Sequence, residues 1–368
     1  MVDGLGAPAT TRPGNAEELA AALKEAAAAG QAVIPVGGGR ALGMGNPPER
    51  FDLALETVGL DRLVEYSPAD LTVTVEAGMR LEALQSELAR AGQFLPLDPF
   101  GGPGHSVGGL LACGWSGPLR LRYGTARDYL VGLRVALPDG RLARSGGRVV
   151  KNVSGYDLNK LHLGALGSLG VIVEASFKVY PKPLSEVTVS FSGGFEDAWA
   201  EAERALGLAM APVALELLQL GGRPKLVGRI AGSEEGTRRI RRELGWEDAD
   251  GDFWTDHARR GADRWARVSV RRGALAGLLR QLPEPARWVA HPGVGVAHWF
   301  DFDDPEQFLA IRRAAEAEGG SVVLLAAPPD FKRAVGAWGR PPAEVDLMRR
   351  LRDAFDPGRT LSPGRYLV

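Results

Sequence analysis

A glycine-rich stretch, PVGGGRALGMGNP at residues 35–47, is the part of the sequence best suited to hold a phosphate. Its glycines follow an apolar run, and backbone without Cβ atoms lets several amide N–H groups approach an anion closely. The dinucleotide fingerprint needs a glycine where Leu42 stands, and the P-loop needs Gly-Lys-Ser/Thr where the chain has Gly43-Met44-Gly45. Two prolines then follow, so no helix begins promptly after the loop. The stretch therefore predicts a phosphate-binding turn of a third kind.

A second glycine-rich segment, DPFGGPGHSVGGLLACGWSG at residues 98–117, carries further candidate side chains. Cys113 is the single cysteine, which excludes an internal disulfide and a cysteine-ligated zinc or iron–sulfur cluster within this chain. No His or Lys neighbours Cys113 in sequence to activate its thiol, so we interpret it as a small packing residue. For His105, contact with a ligand and a position on a surface loop are both open.

Composition limits the class of protein. A chain of 368 residues, 45% hydrophobic and 24% charged, is long enough for two or more domains of ordinary globular type. Its net charge of -1 gives no field that would recruit nucleic acid or an anionic membrane. No apolar run approaches the ~20 residues needed to cross a bilayer, and Met1 opens no secretory signal. We therefore expect a cytoplasmic protein with no nucleic-acid partner and no membrane span.

The elements around the two glycine-rich segments follow from periodicity and capping. Asn15 is a good N-cap for an Ala-rich helix that runs to Gly30, and the strand 31–36 then leads into the first loop. Alternation and amphipathicity predict a strand at 71–77, a helix at 81–91, and strands at 130–137 and 171–179. Asp139-Gly140 is typical of a hairpin turn, and the prolines of YPKP, residues 180–183, mark a boundary.

Beyond this boundary, strands and helices alternate in two similar rounds. The first round has a strand at 187–191, a helix at 197–210, strands at 213–220 and 225–231, and a helix at 234–244. The second has a strand at 266–271, a helix at 274–282, strands at 287–290 and 295–302, a helix at 305–318 and a strand at 321–327. This order predicts an α+β domain with a mostly antiparallel sheet covered by helices, and it suggests a duplication. A helix at 343–355 and an extended tail close the chain.

Six motifs in a fixed order carry a family resemblance. After the first loop come HSVGGLLACGWSG (105–117), RYGTARDYLVGLRVALPDG (122–140), KNVSGYDLNKL (151–161), GALGSLGVIVEA (164–175) and FDPGRTLSPGR (355–365). The series resembles the FAD-binding domain of the vanillyl-alcohol oxidase/p-cresol methylhydroxylase (PCMH) superfamily. Within it, the Lys-Asn-Val-x-Gly-Tyr-Asp run is similar to the smaller FAD-binding subunits of bacterial glycolate oxidases, the GlcE type.

The resemblance implies an α+β fold with three parts. Residues 1–183 would form a two-subdomain PCMH-type FAD-binding domain, and 184–330 an α+β cap domain with a mostly antiparallel sheet. Residues 331–368 would supply a C-terminal helix and a tail that returns to the FAD domain, with 361–365 near the flavin.

The resemblance also implies a cofactor and a site. The FAD pyrophosphate would lie across the amides of the first loop, the second segment would line the isoalloxazine and ribityl chain, and 170–172 would lie beside the adenine. A Cβ on Gly38 would then occupy the place of the diphosphate. Covalent members often carry a histidine where Gly39 and Arg40 end the run, so we expect non-covalent FAD. The implied FAD-binding residues are Pro35, Val36, Gly37, Gly38, Gly39, Arg40, Ala41, Leu42, Gly43, Pro99, Ser106, Val107, Gly109, Cys113, Gly114, Ser116, Gly117, Arg122, Gly124, Gly170, Val171 and Ile172.

The chain departs from its larger, catalytic relatives in the cap. Those relatives read His-x-Gly-Asp-Gly-Asn-x-His and Gly-Gly-Ser-x-x-x-Glu-His-Gly, and in some of them these residues hold a divalent metal. Here HPGVGVAH (291–298) keeps both histidines but loses Asp and Asn, and GGSVVLLAA (319–327) has Leu325-Ala326 for Glu-His. Two histidines make half a metal site, so we interpret His291 and His298 as a structural remnant and expect no metal. No catalytic residue is assigned.

Three functions follow from this combination. The first is an FAD-binding subunit of a glycolate oxidase complex, working with a larger FAD-containing catalytic subunit and an iron–sulfur subunit, and touching a membrane only through that complex. The second is a self-sufficient FAD-dependent D-2-hydroxy-acid dehydrogenase whose cap arginines clamp the carboxylate. The third is a cofactor-free interaction scaffold.

Overall fold

The computed structural model describes residues 1–147, 158–249 and 252–368. Most of the KNVSGYDLNKL motif therefore lies outside the described residues. The helices are α1 Ala16–Ala28, α2 Leu81–Arg90, α3 Val107–Cys113, α4 Arg120–Tyr123, α5 Ala126–Tyr129, α6 Asn159–His162, α7 Phe195–Leu206, α8 Glu234–Leu244, α9 Phe253–Ala258, α10 Leu275–Leu279, α11 Pro305–Ala317, α12 Pro329–Val335 and α13 Val345–Phe355. The strands are β1 Ala9–Thr11, β2 Val33–Val36, β3 Leu53–Glu56, β4 Leu63–Ser67, β5 Thr72–Glu76, β6 Gln93–Phe94, β7 Leu130–Ala136, β8 Leu142–Gly146, β9 Val171–Lys178, β10 Tyr180–Pro181, β11 Ser185–Ser192, β12 Ala214–Gln219, β13 Lys225–Gly232, β14 Glu247–Asp248, β15 Trp265–Ser269, β16 Arg287–His291, β17 Val296–Phe300 and β18 Ser321–Ala326.

Two larger sheets and the antiparallel pair of β6 with β10 lie in the N-terminal half. A parallel sheet has the order β1-β3-β2, and an antiparallel sheet has the order β4-β5-β9-β7-β8. Helix α1 forms where predicted, because the Asn15 side chain accepts a hydrogen bond from the Glu18 amide and Leu19 and Leu23 lie buried one turn apart. The predicted α+β class, with antiparallel sheets, is confirmed.

The C-terminal half contains one eight-stranded antiparallel sheet made of two equivalent units. Its order is β14-β11-β13-β12-β16-β17-β15-β18. Each unit runs strand, helix, two strands, helix, strand, and the two meet edge to edge where β12 pairs with β16. Both units thus have the split βαβ arrangement, which is the duplication that the sequence suggests.

The two faces of this sheet have different neighbours because side chains alternate along each strand. One face, with Ala266 and Leu217, packs under the helices α7, α8, α10 and α11 in one hydrophobic core. The other face, with Trp265, Leu218 and Val289, shares a core with the N-terminal half. Polar side chains on that second face therefore lie against the second glycine-rich segment.

The C-terminal tail joins the parallel sheet beside the first glycine loop. The Val33 amide donates to the Thr360 carbonyl at 2.7 Å, and the Ser362 amide donates to the Val33 carbonyl at 2.8 Å. The buried carboxylate of Asp356 accepts from the Thr360 and Leu361 amides, which fixes the turn after α13. The tail is thus held next to the residues that the sequence singles out.

Helix α3 was not predicted, and neither were the short helices α4, α5, α6, α9 and α12. Residues 107–113 of the second glycine-rich segment form α3, capped by the Ser106 hydroxyl, which accepts from the Gly109 amide at 3.3 Å. The helix ends at Gly114, whose φ of 62° is the left-handed conformation that glycine favours. In the described part of the chain, no helix is long and apolar enough to cross a membrane.

Candidate functional site

A cleft with about 790 Å³ of empty space, partly open to solvent, lies between the two N-terminal sheets and the tail. The first glycine loop forms one wall, α3 and the residues before it form another, and the start of β9 closes the end. Its lining is mainly apolar backbone and small side chains, which suits a long flat ligand with a few polar positions.

The loop presents several amide groups that have no acceptor in the described part of the chain. Among the described residues, none accepts a hydrogen bond from the amides of Gly37, Gly39, Arg40, Ala41 or Leu42. Gly39 has a φ of 76°, which turns the chain sharply at this point. Such a run of free amides on a turn is a binding surface for an anion.

Buried cations hold the loop from behind. The Arg365 guanidinium donates to the carbonyls of Leu42, at 2.6 Å, and Met44. The Lys332 ammonium donates to the Gly43 carbonyl and to the Asp3 carboxylate, each at 2.5 Å. Because the carbonyls of residues 42–44 are occupied in this way, the loop cannot turn over, and its amides stay fixed.

Gly38 is required for a different reason from the one inferred from the sequence. A Cβ at this position would lie 2.0 Å from the Gly104 carbonyl oxygen and 2.9 Å from the Ser106 nitrogen. The first obstacle is therefore the neighbouring backbone, not a ligand. The Gly38 amide also donates to the Ser106 hydroxyl at 3.1 Å, so it ties the two glycine-rich segments together.

The structure brings about half of the implied site residues into the cleft. Those that line it are Pro35, Gly37, Gly38, Gly39, Arg40, Ala41, Leu42, Ser106, Gly109, Cys113, Val171 and Ile172. Those that do not are Val36, Gly43, Pro99, Val107, Gly114, Ser116, Gly117, Arg122, Gly124 and Gly170.

Several of the residues outside the cleft have packing roles that explain them. A Cβ on Gly117 would lie 1.7 Å from the Asp98 carbonyl oxygen, and one on Gly124 would lie 2.4 Å from the Asp128 carboxylate. Arg122 lines a separate groove beside Tyr123 and Tyr180. Gly43 faces the cap, where its Cβ would meet Ala326 at 3.7 Å.

Ten lining residues were not in the implied set. They are Ile34, Thr57, His105, Gly108, Leu110, Ala112, Trp115, Leu166, Gly167 and Arg365. His105 is buried and its Nε2 lies 2.9 Å from the Phe100 carbonyl oxygen, so the surface-loop interpretation is wrong. Burial raises the pKa of the Cys113 thiol to about 12, which agrees with a packing role.

A polar network that sequence reasoning missed lies on the sheet face toward this half. Glu216 is fully buried, and its two carboxylate oxygens contact His257 Nε2 at 3.2 Å and His291 Nδ1 at 2.5 Å. Burial opposes ionisation of Glu216, but the charges and hydrogen bonds of His291 and His257 outweigh it and lower its pKa. The signal in the sequence was one carboxylate inside the apolar strand β12.

The hydrogen-bond donors fix the protonation of His298. The indole N–H of Trp265 donates to His298 Nδ1 at 2.9 Å, and indole has no acceptor role. Burial, and then the nearby His291, Arg267 and Arg120, hold the pKa of His298 well below its usual value. His298 is therefore a neutral imidazole that carries its proton on Nε2.

A narrow chamber with room for about one water lies beside this network. It adjoins the cleft, because Trp115 lines both. Its walls are Phe100, Trp115, Ser116, Arg120, Trp265, Arg267, His298 and Leu325.

Comparison with known proteins identifies the family. Residues 7–146 match the FAD binding domain family. The chain is 30% identical over 317 residues to glycolate oxidase subunit GlcE of Escherichia coli (strain K12), an alignment that covers 82% of this chain and 84% of that protein. The chain belongs to the GlcE family of FAD-binding oxidoreductases. Its cofactor is FAD, and the amides of the loop and the mainly apolar lining of the cleft fit that group.

Two further relatives show how widely this architecture is shared. The chain is 36% identical over 176 residues to a D-2-hydroxyglutarate dehydrogenase of Xanthomonas citri pv. viticola, covering 48% of this chain and 37% of that protein. A solved structure of alkyldihydroxyacetonephosphate synthase superposes with a TM-score of 0.71 at 16% identity, covering 97% of this chain and 77% of that one. The second likeness shows the same PCMH-type fold.

Proposed function

We propose that this chain is the FAD-binding subunit of a glycolate oxidase complex that oxidises glycolate to glyoxylate. The observation that carries the proposal is the loop of free amides at residues 37–42, held from behind by Arg365 and Lys332, in a chain 30% identical to a GlcE subunit. When bound, FAD supplies the two-electron acceptor for oxidation of an alcohol carbon. The amides would hold its diphosphate, and Val171 and Ile172 its adenine end.

Non-covalent attachment is part of this proposal. Of the described lining residues, the two with the chemistry to attach a flavin are His105 and Cys113. His105 Nε2 is engaged by the Phe100 carbonyl, and the raised pKa of Cys113 keeps its thiol protonated. The Cys113 thiol is therefore not available as a nucleophile.

The proposed partners are a larger FAD-containing catalytic subunit and an iron–sulfur subunit. The name of the GlcE relative supports membership in a complex. Leu325 and Ala326 stand where the larger, catalytic relatives carry Glu and His, which favours an accessory role for this chain. A single cysteine suits a reducing compartment, so we propose a cytoplasmic complex, with any membrane contact made through its other subunits.

A second function, oxidation of a small D-2-hydroxy acid by this chain alone, is favoured by the chamber. Arg120 and Arg267 line a space that adjoins the cleft, as a carboxylate clamp would.

The experiment that separates the two functions is anaerobic mixing of the purified chain with glycolate and with D-lactate. Under the first function, the protein contains non-covalent FAD that can be released from it. Neither acid bleaches this FAD within the turnover time of the complex. Bleaching by either acid would establish the second function, and a colourless protein that does not take up added FAD would contradict both.

A further inference from the structure

We propose that a buried ion pair between Asp3 and Lys332 positions the FAD-binding loop and thereby sets its affinity for FAD. Both are positioning residues, because they reach the loop from behind and do not line the cleft. They lie outside residues 7–146, which match the FAD binding domain family. The proposal concerns the cofactor alone, and it holds for either of the functions proposed above.

A tight turn brings Asp3 to the loop. Val2 and Leu5 exchange two backbone hydrogen bonds, at 2.8 and 2.9 Å. Between them, Asp3 and Gly4 have φ angles of 47° and 87°, the left-handed geometry that an Asp-Gly pair favours in a type I′ turn. Val2 is only 1% exposed and packs in a small core that Leu42 of the loop also contacts. The turn therefore anchors Asp3 next to the loop.

The ion pair is enclosed by protein. The Lys332 side chain is 0% exposed and the Asp3 side chain 5%. The ammonium lies 2.5 Å from Asp3 Oδ1 and 2.5 Å from the Gly43 carbonyl oxygen. Burial lowers the pKa of Lys332, as does the nearby Arg365, whereas Asp3 opposes both. Asp3 is therefore the group that favours a charged ammonium at the Gly43 carbonyl.

The Gly43 carbonyl matters because it belongs to the same peptide group as the Met44 amide. A peptide group is planar, so its carbonyl and its N–H turn together. The Met44 amide donates to the Ala41 carbonyl at 3.0 Å and closes a turn within the loop. By holding the Gly43 carbonyl, Lys332 fixes this turn. It thereby fixes the amides of Ala41 and Leu42, which have no acceptor among the described residues.

Lys332 also connects the loop to the other half of the protein. It lies on α12, which follows β18 at the edge of the eight-stranded sheet. Replacing both charges of a buried ion pair with neutral groups can leave stability nearly unchanged, whereas removing one charge leaves the other buried without a partner. This difference allows positioning of the loop to be separated from stability of the fold.

The test is fluorescence titration of the FAD-free, full-length chain with FAD, in Lys332→Met, in Asp3→Asn and in the double variant. Lys332→Met should weaken FAD binding about tenfold or more, because the loop loses a hydrogen bond to a charged group. The double variant should melt close to the wild type, yet it should bind FAD as weakly as Lys332→Met does. The matched control is Asp330→Asn on the same helix, which removes an exposed ion pair with Arg333 and should leave FAD binding unchanged.

Asp3→Asn has a pH dependence that a packing defect would not produce. The charged groups that act on the Lys332 ammonium are Asp3 and Arg365. Without the carboxylate, the pKa of Lys332 in the folded chain falls further below its unfolded value, so the unfolded chain binds more protons and stability rises with pH. The melting temperature and the FAD affinity of Asp3→Asn should therefore both rise from about pH 7 to about pH 9, more steeply than in the wild type. The double variant, which lacks the ammonium, should not show this rise.

Two results would overturn the proposal. One is wild-type affinity for FAD in the folded Lys332→Met and double variants. The other is a pH dependence of Asp3→Asn equal to that of Asp330→Asn.

Discussion

Replacing Ser106 with alanine removes one hydroxyl that does two things at once. Its Oγ caps α3 by accepting from the Gly109 amide at 3.3 Å, and it accepts from the Gly38 amide of the first loop at 3.1 Å. Loss of the cap costs about 1 kcal/mol. A part-buried amide left without its acceptor costs about 1–2 kcal/mol more. We therefore expect the free energy of unfolding of the FAD-free chain to fall by about 2–3 kcal/mol.

The matched control is Ser233→Ala, which removes a cap of the same kind. Ser233 caps α8 by accepting from the Gly236 amide at 3.1 Å, and it makes no contact with either glycine-rich segment. Its loss should cost about 1 kcal/mol and leave FAD binding unchanged. The difference between the two variants measures the link between the segments.

Urea unfolding gives the free energy of unfolding of both variants, and FAD titration gives their FAD dissociation constants. If the link fixes the loop for FAD, a loss of 1–2 kcal/mol should weaken FAD binding in Ser106→Ala by a factor of about 5–30. Equal losses of stability in the two variants, with an unchanged FAD dissociation constant in Ser106→Ala, would refute the reasoning that one hydroxyl organises this wall of the cleft.

Three other changes test separate features. Gly38→Ala should destabilise the fold and abolish FAD retention, because the new Cβ would meet the Gly104 carbonyl. The Cβ of Gly39→Ala would have open space around it, but the φ of 76° is unfavourable, so the free energy of unfolding should fall by only about 1 kcal/mol. Thermal unfolding measures both changes. Burial raises the pKa of Asp98 from 3.8 to about 8, so the folded chain binds a proton that the unfolded chain releases, and stability should fall as pH rises between these values. The slope is at most about 1.4 kcal/mol per pH unit, and Asp98→Asn should remove it in unfolding measured from pH 5 to 8. With its pKa raised to about 12, Cys113 should resist iodoacetamide at pH 8 in the folded chain and react after unfolding, as mass spectrometry would record.

Local signals in the sequence predicted most of the longer helices and strands, but strands such as β3, β4 and β8 and the short helices were not predicted. The N-cap at Asn15 and the alternation at 71–77 are local features of the sequence. The structure has a helix and a strand at these positions. Helix α3 was not predicted because its glycines have a low helix propensity. Its stability comes from the Ser106 cap and from the burial of Val107 and Leu111. Tertiary packing thus overrides the low helix propensity of the segment.

Non-local contacts explain what the sequence could not predict at the site. Gly38 and Ser106 are 68 residues apart, and no sequence pattern between them predicts their hydrogen bond. The motif order places the first loop in the cleft, but whether Gly117 or Gly124 faces a ligand or a carboxylate depends on the course of the backbone. Arg267 looks like one more arginine until strand pairing sets it opposite His298.

The histidine pair shows how neighbouring donors decide the role of a residue. In sequence, His291 and His298 are equivalent halves of a metal motif. In the fold, the Trp265 indole N–H donates to Nδ1 of the neutral His298, whereas Nδ1 of His291 is hydrogen-bonded to the buried Glu216 carboxylate at 2.5 Å. His291 Nε2 is buried and has no hydrogen-bond partner among the described residues. The two rings lie only 5.4 Å apart, so the neighbouring donors and acceptors, and not the position in the motif, decide what each ring does.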